Sequence, residues 1–374
     1  MKASVTWFMV TRAIELSLIS LYDTSPPVLV SRTGEKQPLP ETLKGRLIYA
    51  LDQLVATTGT SFVPGKHWEY APTRVANYRS PFSSKRSFII SNIRRAVLYY
   101  LLLDIGDTLV KRYLTFDLSS PTPILDLPLR TQCLTGFQTA MYIFSCLSFY
   151  HAILAIALVG SGFSTDLDNW PPLFGRPFLS PSISYFWSQG WHVLFRRTFE
   201  RFSVPVVALF GLKSLDNSRT LSKPGKPVTS YLFVSVIIAF VTSGILHSFI
   251  IQRIYDIYDD PIDRSTWTMF QQHPEFFFFA IQPLGIAVDR SFAQLGDSSR
   301  IRIIRWFWAW GFLLWTSRWV SDAFAKSHVW HGKEIILPIS PVRGFLFGDW
   351  AGDDSIRIAF ERLKIASIQT GSRS

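Results

Sequence analysis

Charged residues are scarce in this 374-residue chain. Asp, Glu, Lys and Arg make up 17% of it, whereas ordinary soluble domains carry about 25%. Cysteine is nearly missing, since Cys133 and Cys146 are the two that occur, and two cannot build a disulfide framework or a zinc site. The sequence also lacks a glycine-rich phosphate loop and a G-x-S-x-G nucleophile elbow. These absences exclude disulfide-rich secreted domains, zinc modules and P-loop enzymes.

Apolar and aromatic residues are abundant instead. They reach 48% and 15% of the chain, and the mean hydropathy is +0.19. The net charge of +11 is compatible with nucleic-acid binding, but the basic residues cluster beside the apolar segments. Such clusters are typical of membrane proteins, where they meet anionic headgroups. We therefore expect a lipid bilayer, and no nucleic acid, as a partner. The clusters are Arg94 with Arg95, Lys111 with Arg112, Arg196 with Arg197, and Arg302 with Arg305.

Long uncharged runs predict membrane helices. Residues 131–165 and 227–252 carry no formal charge, and about 20 apolar residues suffice to cross a bilayer. Weaker candidates are residues 91–110, 276–288 and 305–319, the last of which is rich in tryptophan. The runs predict an all-α, polytopic integral membrane protein with about six to eight transmembrane or re-entrant helices.

The composition predicts three regions along the chain. Residues 1–90 hold a marginal membrane segment, interrupted by Arg12 and Glu15, and a proline-rich extramembrane loop at 23–87 that we expect to have little regular structure. No small-residue cleavage site follows the first segment, which argues against a signal peptide. Residues 91–325 form the membrane core. Residues 326–374 are predicted to be an extramembrane tail.

His247 lies within the uncharged run 227–252, in the stretch YLFVSVIIAFVTSGILHSFII. An ionisable side chain at membrane depth is costly and usually functional. Imidazole titrates near pH 6.5, which suits a general base. The alternative is a structural hydrogen bond between helices, which is also the role expected for His151.

The stretch YFWSQGWHVLFRR, residues 185–197, allows two interpretations. It can be an interfacial amphipathic helix with Arg196 and Arg197 at the headgroups. The same arginines can bind a phosphorylated substrate, because guanidinium makes bidentate contacts with phosphate. Composition leaves both open.

Three motifs in order carry a family resemblance. FWSQGWHVLFRR resembles the F-W-x-x-x-W-H signature of the wax-synthase-like branch of the membrane-bound O-acyltransferases. TSGILH, which ends at His247, resembles the small-residue pair and histidine of the same branch. FFFFAIQPLGIAVDR is similar to its F-x-x-Q-x-x-G-I-x-x-E/D stretch, with Gln282, Gly285 and Asp289 in place. The resemblance spans roughly residues 130–325.

The resemblance implies acyl transfer from acyl-CoA to a hydroxyl in a buried reaction chamber enclosed by the helices. His247 would be the general base, and His192 would polarise the thioester or orient the base. No covalent acyl-enzyme is implied, and neither a metal nor a bound cofactor is expected beyond acetyl-CoA or another acyl-CoA as co-substrate.

Donor binding would fall to Trp187, Trp191, Arg196 and Arg197. The sequence departs from the family between the two tryptophans, where family members often have a basic residue and this chain reads Ser-Gln-Gly. Arg196, Arg197 or Arg201 would then have to hold the CoA phosphates.

The chain resembles fungal terpenoid and meroterpenoid O-acetyltransferases more than plant wax synthases. This implies acetylation of a lipophilic secondary metabolite, in an integral membrane protein of the endoplasmic reticulum. The first alternative is a long-chain acyl-CoA:fatty alcohol wax synthase, and the second is a non-enzymatic transporter or scaffold. The sequence leaves the oligomeric state open.

Overall fold

The computed structural model describes residues 2–22, 27–113, 123–209, 230–258, 265–327 and 339–350, and these are mostly helical. The α-helices are α1 (Lys2–Ser17), α2 (Leu43–Val55), α3 (Thr73–Ala76), α4 (Lys85–Tyr113), α5 (Leu129–Gly160), α6 (Ile183–Tyr185), α7 (Arg196–Leu209), α8 (Ser230–Tyr258), α9 (Met269–Gln272), α10 (Pro274–Gln294), α11 (Ser299–Lys326) and α12 (Pro341–Phe347). A π-helical turn covers Phe186–Gly190, and short 3-10 helices cover Ile19–Tyr22, Ile124–Asp126, Leu167–Asn169 and Pro177–Leu179.

Three helices within the described residues are long and apolar enough to cross a membrane. They are Leu129–Gly160, Leu232–Tyr255 and Pro274–Gln294. The predicted helical fold is confirmed, whereas the count of about six to eight spanning or re-entrant helices stays a prediction.

The chain divides into two compact units, each assembled from separate stretches. Unit 1 comprises Met1–Ala96, Tyr150–His247 and Phe279–Leu313. Unit 2 comprises Val97–Phe149, Ser248–Phe278 and Leu314–Ser374.

The proline-rich segment of unit 1 is more ordered than its composition suggests. Strands β1 (Leu29–Ser31) and β2 (Lys66–Trp68) pair antiparallel with Leu29 opposite Trp68. Helix α2 begins after Thr42, whose side chain accepts a hydrogen bond from the Gly45 N–H. Trp68 is fully buried in a small core. The expectation of little regular structure is therefore wrong for much of residues 29–76. The prolines lie outside α2 and the two strands, so they do not interrupt these elements, and the elements pack around one buried tryptophan.

Buried charges attach α1 to α7 in unit 1. Glu15 is 1% exposed and pairs with Arg12 Nη1 at 2.6 Å and with Arg197 Nε at 2.7 Å. The Thr198 hydroxyl donates to the same carboxylate at 2.8 Å, and Arg201 donates to the Ile19 carbonyl at 3.1 Å. The charges that interrupt the first apolar run are thus paired inside the protein.

Unit 2 packs α4 and α5 around a core that includes Leu103, Tyr142 and Ala325. Asp104 and Asp107, one turn apart on α4, are buried. Asp104 accepts hydrogen bonds from Ser340 and Val342, and Asp107 pairs with Arg343 at 3.1 Å. These contacts fix α12 on α4. The remainder of the predicted tail, residues 328–338 and 351–374, lies outside the described residues.

Candidate active site

The first motif folds into a tight turn at the end of α6. The Ser182 side chain caps α6 by accepting from the Tyr185 N–H at 3.1 Å. The Trp191 N–H then donates to the Phe186 carbonyl at 2.7 Å, five residues back, which is the π-helical bonding pattern. Gly190 is required at this turn, because a Cβ there would lie 2.8 Å from the Ser180 hydroxyl and 3.1 Å from the Pro177 Cα. The turn spaces Trp187 and Trp191 so that their rings contact each other, with centroids 6.4 Å apart.

Trp187 connects the turn to α8 and α10. Its indole N–H donates to Gln282 Oε1 at 3.0 Å, and Gln282 is fully buried. The Trp187 ring also contacts Phe240 of α8 and Phe279 of α10, with centroids 5.2 Å and 6.1 Å away. The three predicted motifs therefore meet within unit 1.

His247 joins the same aromatic cluster. Its ring lies 4.2 Å from the Phe279 ring centroid, and its Nδ1 is 2.7 Å from the Ser243 carbonyl oxygen. Because a carbonyl can only accept, Nδ1 must carry the proton. The lone pair of the neutral imidazole is therefore on Nε2, which makes Nε2 the basic atom.

His192 follows the turn and contacts the rings of Trp191 and Phe174. Its Nδ1 is buried and has no hydrogen-bond partner among the described residues. Burial, and then the nearby charges of His247 and Arg74, lower the pKa of His192 to about 3. His192 is therefore neutral near pH 7, and its Nδ1 makes no hydrogen bond to the described residues.

The third motif is hydrogen-bonded to α6, the helix that leads into the motif turn. Asp289 is fully buried and accepts hydrogen bonds from the Ser184 N–H at 3.2 Å and from Arg305 Nε at 3.1 Å. Gly285 allows α10 and α11 to approach closely, since a Cβ at this position would lie 2.5 Å from the Phe312 ring. Gln282, Gly285 and Asp289 thus hold the site together.

The two arginines expected at the donor differ in their surroundings. Arg196 Nη1 donates to the Ser188 carbonyl at 3.1 Å, and its Nε pairs with the exposed Glu200 at 2.7 Å. Arg197 pairs with Glu15 and lies 3.9 Å from the centroid of the Tyr70 ring. Burial lowers the pKa of Arg197, although Glu15 opposes the shift. The role of both arginines in donor binding stays a prediction, and only Arg196 contacts the motif turn.

Sequence reasoning missed Arg74. Its Nη2 donates to the Leu173 carbonyl at 3.1 Å, while its Nη1 is buried without a hydrogen-bond partner. Arg74 precedes the turn by about a hundred residues, so no local pattern could indicate it. Among the described residues, His, Cys, Asp and Glu form no group of three that could hold a metal ion.

Comparison with known proteins finds a family match over the segment that contains most of these motifs. Residues 170–278 match the profile of the family described as membrane bound O-acyl transferase. That segment contains the motif turn, His192 and His247, and it ends just before Gln282.

Three relatives match this chain over longer segments. An acetyltransferase of Rhodocybe pseudopiperita is 26% identical over 294 residues, 76% of this chain and 70% of the relative. One of Hericium erinaceus is 24% identical over 356 residues, 92% of this chain and 84% of the relative. One of Calcarisporium arbuscula is 30% identical over 187 residues, 48% of this chain and 39% of the relative. No solved structure is significantly similar to the chain. The matched segment and the acetyltransferase relatives identify the chain as an acyltransferase that is similar to the membrane-bound O-acyl transferase family.

Proposed function

We propose that this enzyme transfers acetyl from acetyl-CoA to a hydroxyl of a lipophilic terpenoid or meroterpenoid in the endoplasmic reticulum membrane. The observation that carries the proposal is His247, whose tautomer is fixed by the Ser243 carbonyl beside the Trp187–His192 turn. The choice of acetyl as the transferred group is supported by the relatives, which are acetyltransferases. The apolar surroundings of His247 favour a lipophilic acceptor.

The basic nitrogen of His247 performs the central step. Nε2 takes the proton of the acceptor hydroxyl while the oxygen attacks the thioester carbonyl carbon. The carbonyl electron pair moves onto its oxygen and forms a tetrahedral intermediate. When the intermediate collapses, the carbon–sulfur bond breaks and the sulfur leaves with the bonding electrons. The thiolate takes the proton from His247, so the ester and free CoA are released and the base is restored.

Neighbouring groups assist this cycle. The hydrogen bond from Nδ1 to the Ser243 carbonyl persists when Nε2 is protonated and becomes charge-assisted, which stabilises the imidazolium. His192 stays neutral, so it does not repel that imidazolium, and its N–H can donate to the thioester oxygen. The aromatic rings around both histidines exclude water, which suppresses hydrolysis of the thioester.

The test is acetyl transfer by purified protein in lipid nanodiscs. Labelled acetyl-CoA is supplied with a panel of hydroxylated terpenoids, and esters are quantified for wild type, His247→Ala and His151→Phe. We expect His247→Ala to lower kcat by about 10²–10⁴-fold, the usual contribution of a general base. His151→Phe is the matched control, because His151 contacts the Trp170 ring and lies in another membrane helix. It should keep nearly full activity.

Three outcomes contradict parts of the proposal. Equal activity of wild type and His247→Ala would remove His247 as the base. Esters formed only from long-chain acyl-CoA would favour a wax synthase over an acetyltransferase. If no donor and acceptor react, a transporter or scaffold becomes the better interpretation.

A further inference from the structure

Arg74 reaches the motif turn from a distant part of the sequence. In its short helix, α3, Val75 joins the preceding Ala71 in a buried cluster with Val193, the residue after His192, and Ala76 packs against this cluster. This packing fixes the helix beside the turn. The Arg74 side chain then extends along residues 173–175, where Nη2 donates to the Leu173 carbonyl at 3.1 Å.

Gly175 locates the guanidinium more closely. The Gly175 N–H donates to the Gly190 carbonyl at 2.9 Å, so this glycine lies directly against the π-helical turn. A Cβ on Gly175 would lie 3.3 Å from Arg74 Nη1 and would overlap the Gln189 carbonyl oxygen. Arg74 Nη1 therefore lies in the neighbourhood of the Gln189 carbonyl, without a hydrogen bond to it.

Arg196 approaches the same segment. It donates to the Ser188 carbonyl at 3.1 Å, and its like charge contributes to lowering the pKa of Arg74, after burial. The exposed Glu200 is the carboxylate that pairs with Arg196, and no described carboxylate pairs with Arg74. Arg74 and Arg196 therefore both lie near the motif turn, and the exposed Glu200 is the counter-charge of Arg196 alone.

A buried guanidinium N–H without an acceptor needs an explanation, because most buried donors in native proteins are satisfied. Arginine pairs of this kind bind phosphate oxygens, for which the planar guanidinium fork has matching geometry. Arg74 is near enough to His192 for its charge to help lower the pKa of that histidine, after burial and His247, and the side chain of Arg196 is partly exposed. The pair therefore extends from the water-accessible side towards the predicted reaction centre.

We infer that Arg74 and Arg196 form an anion-binding pair that takes a phosphate of the CoA donor while its pantetheine arm extends past His192 to His247. The inference rests on the proposed function and adds a donor-binding residue, Arg74, that lies outside the segment matched by the family profile. Arg197, by contrast, already has Glu15 as its counter-charge.

Donors with and without phosphate test this pair. Initial rates are measured with acetyl-CoA, acetyl-3′-dephospho-CoA and acetyl-pantetheine, which lacks every phosphate. We expect Arg74→Gln to raise KM for acetyl-CoA roughly tenfold or more, the effect of losing one charge-assisted contact, with kcat little changed. KM for acetyl-pantetheine should be the same in wild type and variant. A KM effect retained with the dephospho donor assigns the pair to the diphosphate, and an effect lost with it assigns the pair to the 3′-phosphate.

Matched variants separate binding from folding. Arg74→Lys keeps the charge but loses the planar fork, so it should restore only part of the acetyl-CoA affinity. Arg79→Gln is the control, because Arg79 is exposed on the same segment and donates only to local carbonyls, including that of Tyr78 at 2.8 Å. Each variant is compared with wild type by its thermal unfolding midpoint in the same nanodiscs.

Calorimetric titration with unreactive CoA keeps the two proposals distinguishable. Weaker CoA binding by Arg74→Gln supports the pair even if wild type acetylates none of the acceptors. Equal CoA binding by wild type and Arg74→Gln overturns the pair while the proposed function stands. An equal rise of KM for acetyl-CoA and acetyl-pantetheine, or a fall in kcat with every donor, overturns the phosphate assignment as well.

Discussion

At the residue scale, two histidines in one aromatic cluster have different hydrogen-bonding environments. His247 donates from Nδ1 to the Ser243 carbonyl one turn earlier on α8. His192 has a buried Nδ1 with no partner among the described residues, and its pKa is lowered to about 3, mainly by burial. The sequence indicated both residues, but it could not assign which nitrogen is basic, because that depends on the backbone carbonyl within reach.

The Trp187–Gln282 hydrogen bond is the polar connection between the motif turn and α10. We predict that Trp187→Phe destabilises the protein by about 1–3 kcal/mol, because it leaves a buried amide oxygen without this donor. Trp187→Phe combined with Gln282→Leu should cost less than the sum of the single changes, with a coupling of about 0.5–3 kcal/mol. Unfolding in denaturant measures the cycle.

A second indole provides the control for that cycle. Trp308 donates to the Gly285 backbone carbonyl at 3.3 Å and has no part in the Gln282 bond. Trp308→Phe should therefore be additive with Gln282→Leu. Additivity for the Trp187 pair as well would show that its hydrogen bond contributes little to stability.

At the element scale, the close approach of α10 to α11 depends on a glycine, Gly285, which has no side chain. The Phe312 ring fills the space beside Gly285, so that a methyl group on Gly285 would lie 2.5 Å from the ring. The family pattern drew attention to Gly285, but its role follows from the packing of the two helices. Asp289, one turn later, accepts from Arg305 of α11 and from the Ser184 N–H, so the helix pair also positions the motif turn.

We predict that Gly285→Ala lowers the unfolding midpoint, since overpacking of a core typically costs about 1–3 kcal/mol. Gly311→Ala on α11 is the matched control, because a Cβ there meets no atom within 4 Å. Alanine favours helix over glycine by up to about 1 kcal/mol, so the control should be neutral or stabilising. Thermal unfolding of the two variants in identical detergent checks this difference, and Phe312→Leu should partly rescue Gly285→Ala. Equal midpoints for both glycine variants would contradict the packing argument.

At the scale of the whole molecule, the N-terminal helix belongs to the same compact unit as the site. Arg12 and Glu15 predicted a marginal membrane segment, because charges interrupt an apolar run. In the structure both side chains are 1% exposed and paired, and Glu15 also pairs with Arg197 and accepts from Thr198. The network therefore attaches α1 to the helix that follows the motif turn.

We predict that Glu15→Gln destabilises the protein by about 3–5 kcal/mol, since it leaves two buried guanidinium groups without their counter-charge. Glu69→Gln is the control, because Glu69 pairs at 3.2 Å with Lys36, which is 73% exposed. An exposed pair of this kind contributes about 1 kcal/mol or less. Unfolding free energies measured in the same detergent decide the comparison. Similar values for the two variants would mean that the Glu15 network does not stabilise the attachment of α1.

The sequence by itself determined which segments are apolar enough for a membrane and in which order the motifs occur. The hydrophobicity of a run depends only on the residues within it. The runs at residues 131–165 and 227–252 could therefore be recognised as membrane-spanning candidates without knowledge of the tertiary structure. The position of His247 inside such a run predicts a functional role, because an ionisable side chain at membrane depth is costly. The motif residues, from Trp187 to Asp289, were found from their spacing along the chain.

Only the tertiary structure decided which of these groups meet. The Trp187–Gln282 bond joins residues 95 positions apart, and the Arg74–Leu173 bond joins residues 99 positions apart. Such contacts depend on how helices pack, and packing is not encoded in any local period. The same applies to the proline-rich segment, where a single buried Trp68 organises strands that composition did not predict. The position of Arg74 beside residues 173–175 depends on the same packing, so no sequence pattern could indicate it.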